Sequence, residues 1–198
     1  MSSEVKNYVG HVGGSFVGGD SYTNCYFGVR PTRLEIFFRK LLDEVNRDIR
    51  IQDTIEDIKY YKTVLDGSKG LEEKLQDGGF SQRDIDIALR KKQKYAKKAE
   101  KNQFYESAQK IDSLIFGKIK TDFESEIYPL IKNDESLDVV IKKVNEFVIK
   151  PMVDKIEQDG ADDTILCYSS EDIMGMLYYL TGCCHINWKD YNVIQSSV

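Results

Sequence analysis

The chain has no long apolar run. No stretch approaches the roughly 20 consecutive apolar residues that a membrane-spanning helix requires. The N-terminus, MSSEVKNYVGHVGGSF, lacks a basic flank followed by an apolar segment, so no signal peptide is expected. Cysteine is sparse: Cys25, Cys167, Cys183 and Cys184 suggest no disulfide framework, since the adjacent pair would bridge only with strain. Free thiols in a reducing, cytoplasmic setting are the expectation. Charge of one sign is also missing. With 28 basic and 33 acidic residues the net charge is -5, which leaves no whole-molecule attraction for nucleic acid or anionic lipid and restricts such contact to local patches.

What remains is an ordinary globular composition, 41% hydrophobic and 31% charged over 198 residues. That suffices for one domain with a real core. Two textures meet near Pro31. Before it, YVGHVGGSFVGGDSYTNCYFG alternates Val, Phe and Tyr with glycine and polar residues, the pattern of short strands and tight turns. A piece this small is marginal alone. Residues 1–30 are therefore expected to form a glycine-rich β-like arm, with Val12, Phe16, Val17, Asp20 and Tyr22 as candidate assembly residues that add a strand to another chain.

After Pro31 the period becomes helical, and the expectation is a mainly α fold: an antiparallel bundle of five to six helices over 31–190, followed by a tail, 191–198. Leu34, Phe37, Phe38, Leu41, Leu42 and Val45 fall on one helical face. Ile51, Ile55, Ile58 and Tyr61 could extend that helix, although RDIRIQDTI also alternates like a strand. DGSKG and QDGG punctuate the chain around a short LEEKL turn. Ser81 with Asp84 marks a helix start that runs through ALRKKQKYAKKAEK. Ile111, Ile115, Ile119, Phe123 and Ile127 predict a helix ending or kinking near Pro129. Leu137 to Val148 predict another, up to Pro151. The last opens at Ser169 or Ser170, capped with help from Asp172, and Gly182 is expected to stop it.

Chemistry is concentrated in DIMGMLYYLTGCCHINW, Asp172 to Trp188. Zinc ligands are usually paired two to four residues apart, whereas Cys183, Cys184 and His185 are consecutive, so convergence on a metal is disfavoured. A Cys184–His185 nucleophile needs the imidazole within hydrogen-bond reach and a third orienting group, a geometry that neighbours in sequence rarely have. The bland reading is preferred: Gly175 permits close helix approach, and Met176, Leu177, Leu180 and Trp188 pack. Cys184 is then structural, His185 is satisfied by hydrogen bonds, and the Trp188 indole finds a carbonyl. No metal and no cofactor is expected.

Three further patterns carry possible chemistry. GGSFVGGDS fails as a phosphate loop because Asp20, not Lys, follows Gly19. Asp66, Glu72 and Lys74 loosely match the acid pair and lysine of a Mg²⁺-dependent nuclease, the alternative enzymatic reading. Arg90, Lys94, Lys97 and Lys101 recur at i, i+4, i+7 and i+11, a stripe that is either a solvated face or a track for phosphates.

Several phrases in order carry a family resemblance: GLEEKLQDGG from Gly70, YAKKAEKNQFYESAQKI from Tyr95, FESEIYPLI from Phe123 and EDIMGMLYYLTGCCHINW from Glu171. The last is the most specific, through Gly175, Met176, Leu180, Thr181, Gly182, Cys184, His185 and Trp188. Over roughly residues 35 to 189 the chain resembles the C-terminal domain shared by third components of bacterial ABC-three-component conflict systems, and VGGSFVGGDSYTN resembles the leader that often precedes it. The resemblance implies an antiviral defence complex in which an ABC-type ATPase of the Rad50/SMC type works with a middle component and an effector, often a nuclease. It implies docking, with no catalytic residue carried over. Leader and domain occupy the 198 residues, so the effector is expected on a separate protein. The chain is expected to be a non-enzymatic adaptor in a homo- or hetero-oligomer, touching DNA only within the complex and no membrane.

Overall fold

A computed structural model describes residues 30–65 and 69–191. The chain divides after Arg30 into two units, and the described residues beyond Arg30 all belong to the second. The arm residues Val12, Phe16, Val17, Asp20 and Tyr22 lie outside the described residues, as does Asp66.

Seven helices and no strand occur among the described residues. α1 is Arg33–Asn46, α2 Glu56–Lys62, α3 Leu71–Asp77 and α4 Gln82–Asn102. α5 runs without a break over 106–132, as Glu106–Asp122, a π-helical turn Phe123–Ile127 and Tyr128–Lys132. α6 does the same over 137–159, as Leu137–Val144, the π-turn Asn145–Ile149 and Lys150–Asp159. α7 is Ser170–Gly182.

The caps form where the side chains allow them. Ser81 Oγ accepts from the Asp84 N–H at 3.3 Å, and Asp172 reaches back 2.9 Å to the Ser169 N–H, satisfying donors that a helix start leaves open. Glu44 supplies a carboxylate to the start of α5, accepting from the Ser107 N–H at 3.1 Å. That charge also suits the positive end of the helix dipole.

Neither Pro129 nor Pro151 ends its helix, so of the two expectations at Pro129, an end or a kink, the end is not met. A proline inside an α-helix lacks the N–H for i−4 and its ring strikes that carbonyl. Here a π-turn lies immediately upstream of each proline. The Tyr128 N–H bonds to Phe123 O and the Lys150 N–H to Asn145 O, a five-residue step. Pro129 and Pro151 then sit in the first turn of the following α segment, where a missing donor is tolerated.

The stretch after α1 is neither its extension nor a strand. α1 ends at Asn46, Asp48 takes φ 52°, and the Ile51 N–H bonds to Phe104 O at 2.8 Å. This pins the connection across the molecule before α2 begins.

α5 is the core helix: Ile111, Ile115, Phe116, Ile119, Phe123 and Ile127 are all buried. α1 packs antiparallel against it, with Glu44 at its start and Leu34 beside Leu114 and Ile115. α2 runs parallel to it, pairing Ile55 with Gln109 and Asp57 with Ser113. α4 and α7 form an antiparallel pair over the same core, with Lys94 against Glu171 and Lys91 against Gly175.

Candidate functional site

The signature segment closes the α4–α7 contact from the inside. At Gly175 an added Cβ would overlap the Lys91 carbonyl oxygen and lie 2.9 Å from Tyr95 Cβ. Only a residue without a side chain lets the two backbones approach this closely. Met176, Leu177 and Leu180 are fully buried behind it. Gly182 behaves differently, because an added Cβ there would press only on the far end of the flexible Lys92 side chain, at 2.8 Å, with Leu71 Cβ at an ordinary contact distance of 3.7 Å.

The helix ends at Gly182 as expected, but the left-handed residue that closes it lies two positions further on. Cys184 adopts φ 65°. Its N–H bonds to Thr181 O at 3.1 Å, and the His185 N–H bonds to Leu180 O at 2.9 Å. This is a Schellman termination with cysteine in the left-handed position usually given to glycine. The left-handed turn throws the neighbouring side chains apart. Cys184 Sγ faces Lys69 O at 3.9 Å, whereas the His185 ring sits between Tyr60 and Tyr61, at centroid distances of 4.9 and 5.6 Å. Burial pushes the Cys183 thiol up, which disfavours the reactive thiolate. Among the described residues no group of three His, Cys, Asp or Glu side chains could hold a metal ion.

His185 is buried, with the Thr63 and Tyr60 backbone as the polar groups beside its ring and no closely aligned hydrogen bond to either imidazole nitrogen. Burial holds its pKa below the ordinary histidine value, against the opposing pull of the Thr63 and Tyr60 backbone. The ring acts as an aromatic wedge that ties α2 to the end of α7.

Trp188 folds back under α7 between Phe80 and Phe123, with centroids 4.9 and 5.2 Å away. Its indole N–H donates to Thr181 Oγ1 at 3.1 Å, and that hydroxyl donates to Leu177 O at 3.0 Å. The partner is thus a hydroxyl, not a carbonyl. Gly78, which reads in sequence as mere punctuation, makes room: an added Cβ would lie 2.6 Å from Trp188 Cβ. Thr181→Val keeps the shape but leaves a buried donor unpaired, so it is expected to lower stability by about 1–2 kcal/mol in chemical denaturation. Unchanged stability would show that the hydroxyl does not hold the indole.

A second cluster escaped the sequence reading. Asp112 of α5 is buried and accepts hydrogen bonds from Tyr95 Oη at 2.9 Å and Tyr168 Oη at 2.5 Å. Burial raises its pKa to about 6, against the hydroxyl donors and the distant charges of Lys62 and Lys98. Lys98 bonds to Asp172 Oδ2 at 2.9 Å and Cys167 O at 3.1 Å, and its ammonium lies 5.1 Å from the Tyr168 ring centroid. Burial would raise the Asp172 pKa, but Lys98 and Ser169 together leave it lowered. The Cys167 loop is itself fastened by Asp163, whose carboxylate accepts from the N–H groups of Ile165, Leu166 and Cys167 at 2.9, 3.0 and 2.7 Å. An aspartate inside an isoleucine stripe was the one available signal; its tyrosine partners lie 17 and 56 residues away.

The remaining sequence candidates lie apart from this core. Arg90, Lys94, Lys97 and Lys101 all lie on the exposed side of α4, and Lys94 pairs with Glu171. Glu72 is exposed and Lys74 buried. Two positions apart on α3, they point to opposite sides of a helix and do not meet in the manner a metal-assisted nuclease needs.

The described residues thus define a mainly α domain whose polar signature is turned inward to fix helix packing. A family profile for C-terminal domain 9 of the ABC-three component (ABC-3C) systems matches residues 70–188, about three-fifths of the chain. The chain belongs to this family. The match begins at Gly70, so α1 and α2, included in the wider resemblance from about residue 35, lie outside it while sharing its core. No curated protein and no solved structure matches the chain. No helix among the described residues is long and apolar enough to cross a membrane.

Proposed function

We propose that this chain is a non-enzymatic adaptor of an ABC-three component defence complex, linking an ABC-type ATPase of the Rad50/SMC kind to a separate effector, such as a nuclease. The observation that carries this reading is family membership over residues 70–188. The inward use of the signature supports it: Met176, Leu180 and Thr181 are fully buried, and Cys183 and His185 nearly so. Residues committed to packing are unavailable for turnover, and the family's common element is then a surface held in shape. Apolar anchors suited to a partner are exposed elsewhere, at Tyr60 and Val64 around the end of α2 and at Val139 and Phe147 on α6.

The test is affinity purification of the tagged chain from cells expressing its whole gene cluster, followed by mass spectrometry and mass-resolved size exclusion. Stoichiometric recovery with an ABC-type ATPase is the expected result. Recovery as a lone monomer overturns the adaptor reading.

A further inference from the structure

Helix α4 concentrates positive charge on an otherwise acidic molecule. Eight of its residues are Lys or Arg and three are Asp or Glu, a net of +5 in a chain whose total is -5. Only part of this is used internally. Lys94 pairs with Glu171, and Lys98 is drawn in to Asp172. Arg90, Lys97 and Lys101 are exposed and have no ion-pair partner among the described residues. Together with Lys94 they form a ridge of 11 helical steps, roughly 16 Å long at 1.5 Å per residue. Like charges three and four apart repel one another, so this face is costly to the isolated protein and suited to an anion.

The chemistry of the face decides which anion. Protein interfaces are anchored by apolar or aromatic side chains that become desolvated at their centre. Every exposed residue of α4 is polar, and none of the exposed large hydrophobic residues lies on it. A partner held by charge alone must offer a dense, regular row of charges, as phosphates do at about one per 1.7 Å of duplex axis. Single strands are usually held by stacking on aromatic side chains, and α4 exposes none.

We propose that the outer face of α4 binds the phosphate backbone of duplex nucleic acid through Arg90, Lys94, Lys97 and Lys101, without reading sequence. Phosphate contacts position a protein but carry no base information. The surface is independent of the adaptor reading and of the core.

The test is fluorescence anisotropy of a fluorescein-labelled 20-bp duplex DNA titrated with the full chain, with a duplex RNA of equal length as a second arm. Three to four phosphate contacts predict that binding weakens by roughly 40- to 150-fold between 50 and 200 mM salt. Combined Arg90→Glu, Lys97→Glu and Lys101→Glu should weaken binding at 50 mM salt by at least about tenfold while leaving the melting temperature nearly unchanged. A charge-matched triple on and just after α1, Arg39→Glu, Lys40→Glu and Arg47→Glu, controls for net charge and should have a far smaller effect. Similar affinity for both duplexes supports a backbone contact, and a preference for one names its source. The proposal is overturned if the wild-type chain binds neither duplex up to about 100 μM at 50 mM salt, or if both triples act alike. It is also overturned if poly-glutamate binds through this face while the duplexes do not.

Discussion

Gly175→Ala is expected to destabilise the domain by about 3 kcal/mol, a loss of roughly 6–12 °C in melting temperature for a domain of this size. In an isolated helix the same change would help, since alanine is favoured over glycine by about 1 kcal/mol. Here the new methyl group would strike the Lys91 carbonyl and Tyr95 Cβ. One is backbone and the other is the root of a buried side chain, so neither can swing away. The α4–α7 pair would have to separate, and Tyr95 would move with it, disturbing the hydrogen bond to Asp112. Gly182→Ala on the same helix is the matched control. Its methyl group presses only on the Lys92 tip and makes an ordinary contact with Leu71, so stability should stay within about 1 kcal/mol of wild type. Equal melting temperatures for the two variants would refute the close-approach argument.

Asp112→Ala is expected to cost about 3–5 kcal/mol, because it opens a cavity and strands the Tyr95 and Tyr168 hydroxyls in the core. Asp112→Asn should be tolerated far better, since its amide can accept from one tyrosine and donate to the other. The pair separates the charge from the shape. With a folded-state pKa of about 6 against an ordinary 3.8, the stability Asp112 contributes is fully present below pH 4 and is lost as pH rises through 6. The two-unit difference corresponds to about 3 kcal/mol at neutral pH.

His185 works in the opposite sense. Its lowered pKa gives stability that is present above the ordinary histidine value and lost as pH falls through the folded one. Subtracting the unfolding free energy of Asp112→Asn from that of wild type cancels the histidine contribution. The difference should favour wild type at pH 4 and shift toward the variant by up to about 3 kcal/mol at pH 7.5. A flat difference curve would mean that Asp112 ionises normally in the folded protein.

Tolerance of the prolines follows from the third dimension. Phe123–Ile127 and Asn145–Ile149 pack against each other, and Phe123, Ile127, Val148 and Ile149 of the two turns are buried. A π-turn forgoes α-helical hydrogen-bond geometry, and burial of apolar side chains at the facing turn offsets that cost. Pro129 and Pro151 are breakers in any local reading, so the sequence alone divides two helices where the molecule has none. The left-handed conformation of Cys184 was not legible for a related reason. Glycine is the default left-handed residue, but the bonds from the Cys184 and His185 N–H groups, with Trp188 seated beneath, hold a cysteine there instead.

The sequence by itself determined the class and two of the helix starts. Apolar residues at steps of three and four place one face of α1, α4, α5, α6 and α7, and Ser81–Asp84 and Ser169–Asp172 mark two beginnings. These signals are local, with all the required information lying within a turn or two of chain. The ordered phrases from Gly70 to Trp188 likewise sufficed for the family resemblance.

Tertiary structure alone decided which polar residues act together. Lys98 turns inward to Asp172, 74 residues away, while Arg90 and Lys97 of the same helix stay in solvent. Asp112 meets Tyr168 across 56 residues, and Gly78 yields its space to Trp188. No periodicity encodes such pairings, because they depend on the rotation and separation of packed helices. In this domain that separation is set by the absent side chain of Gly175.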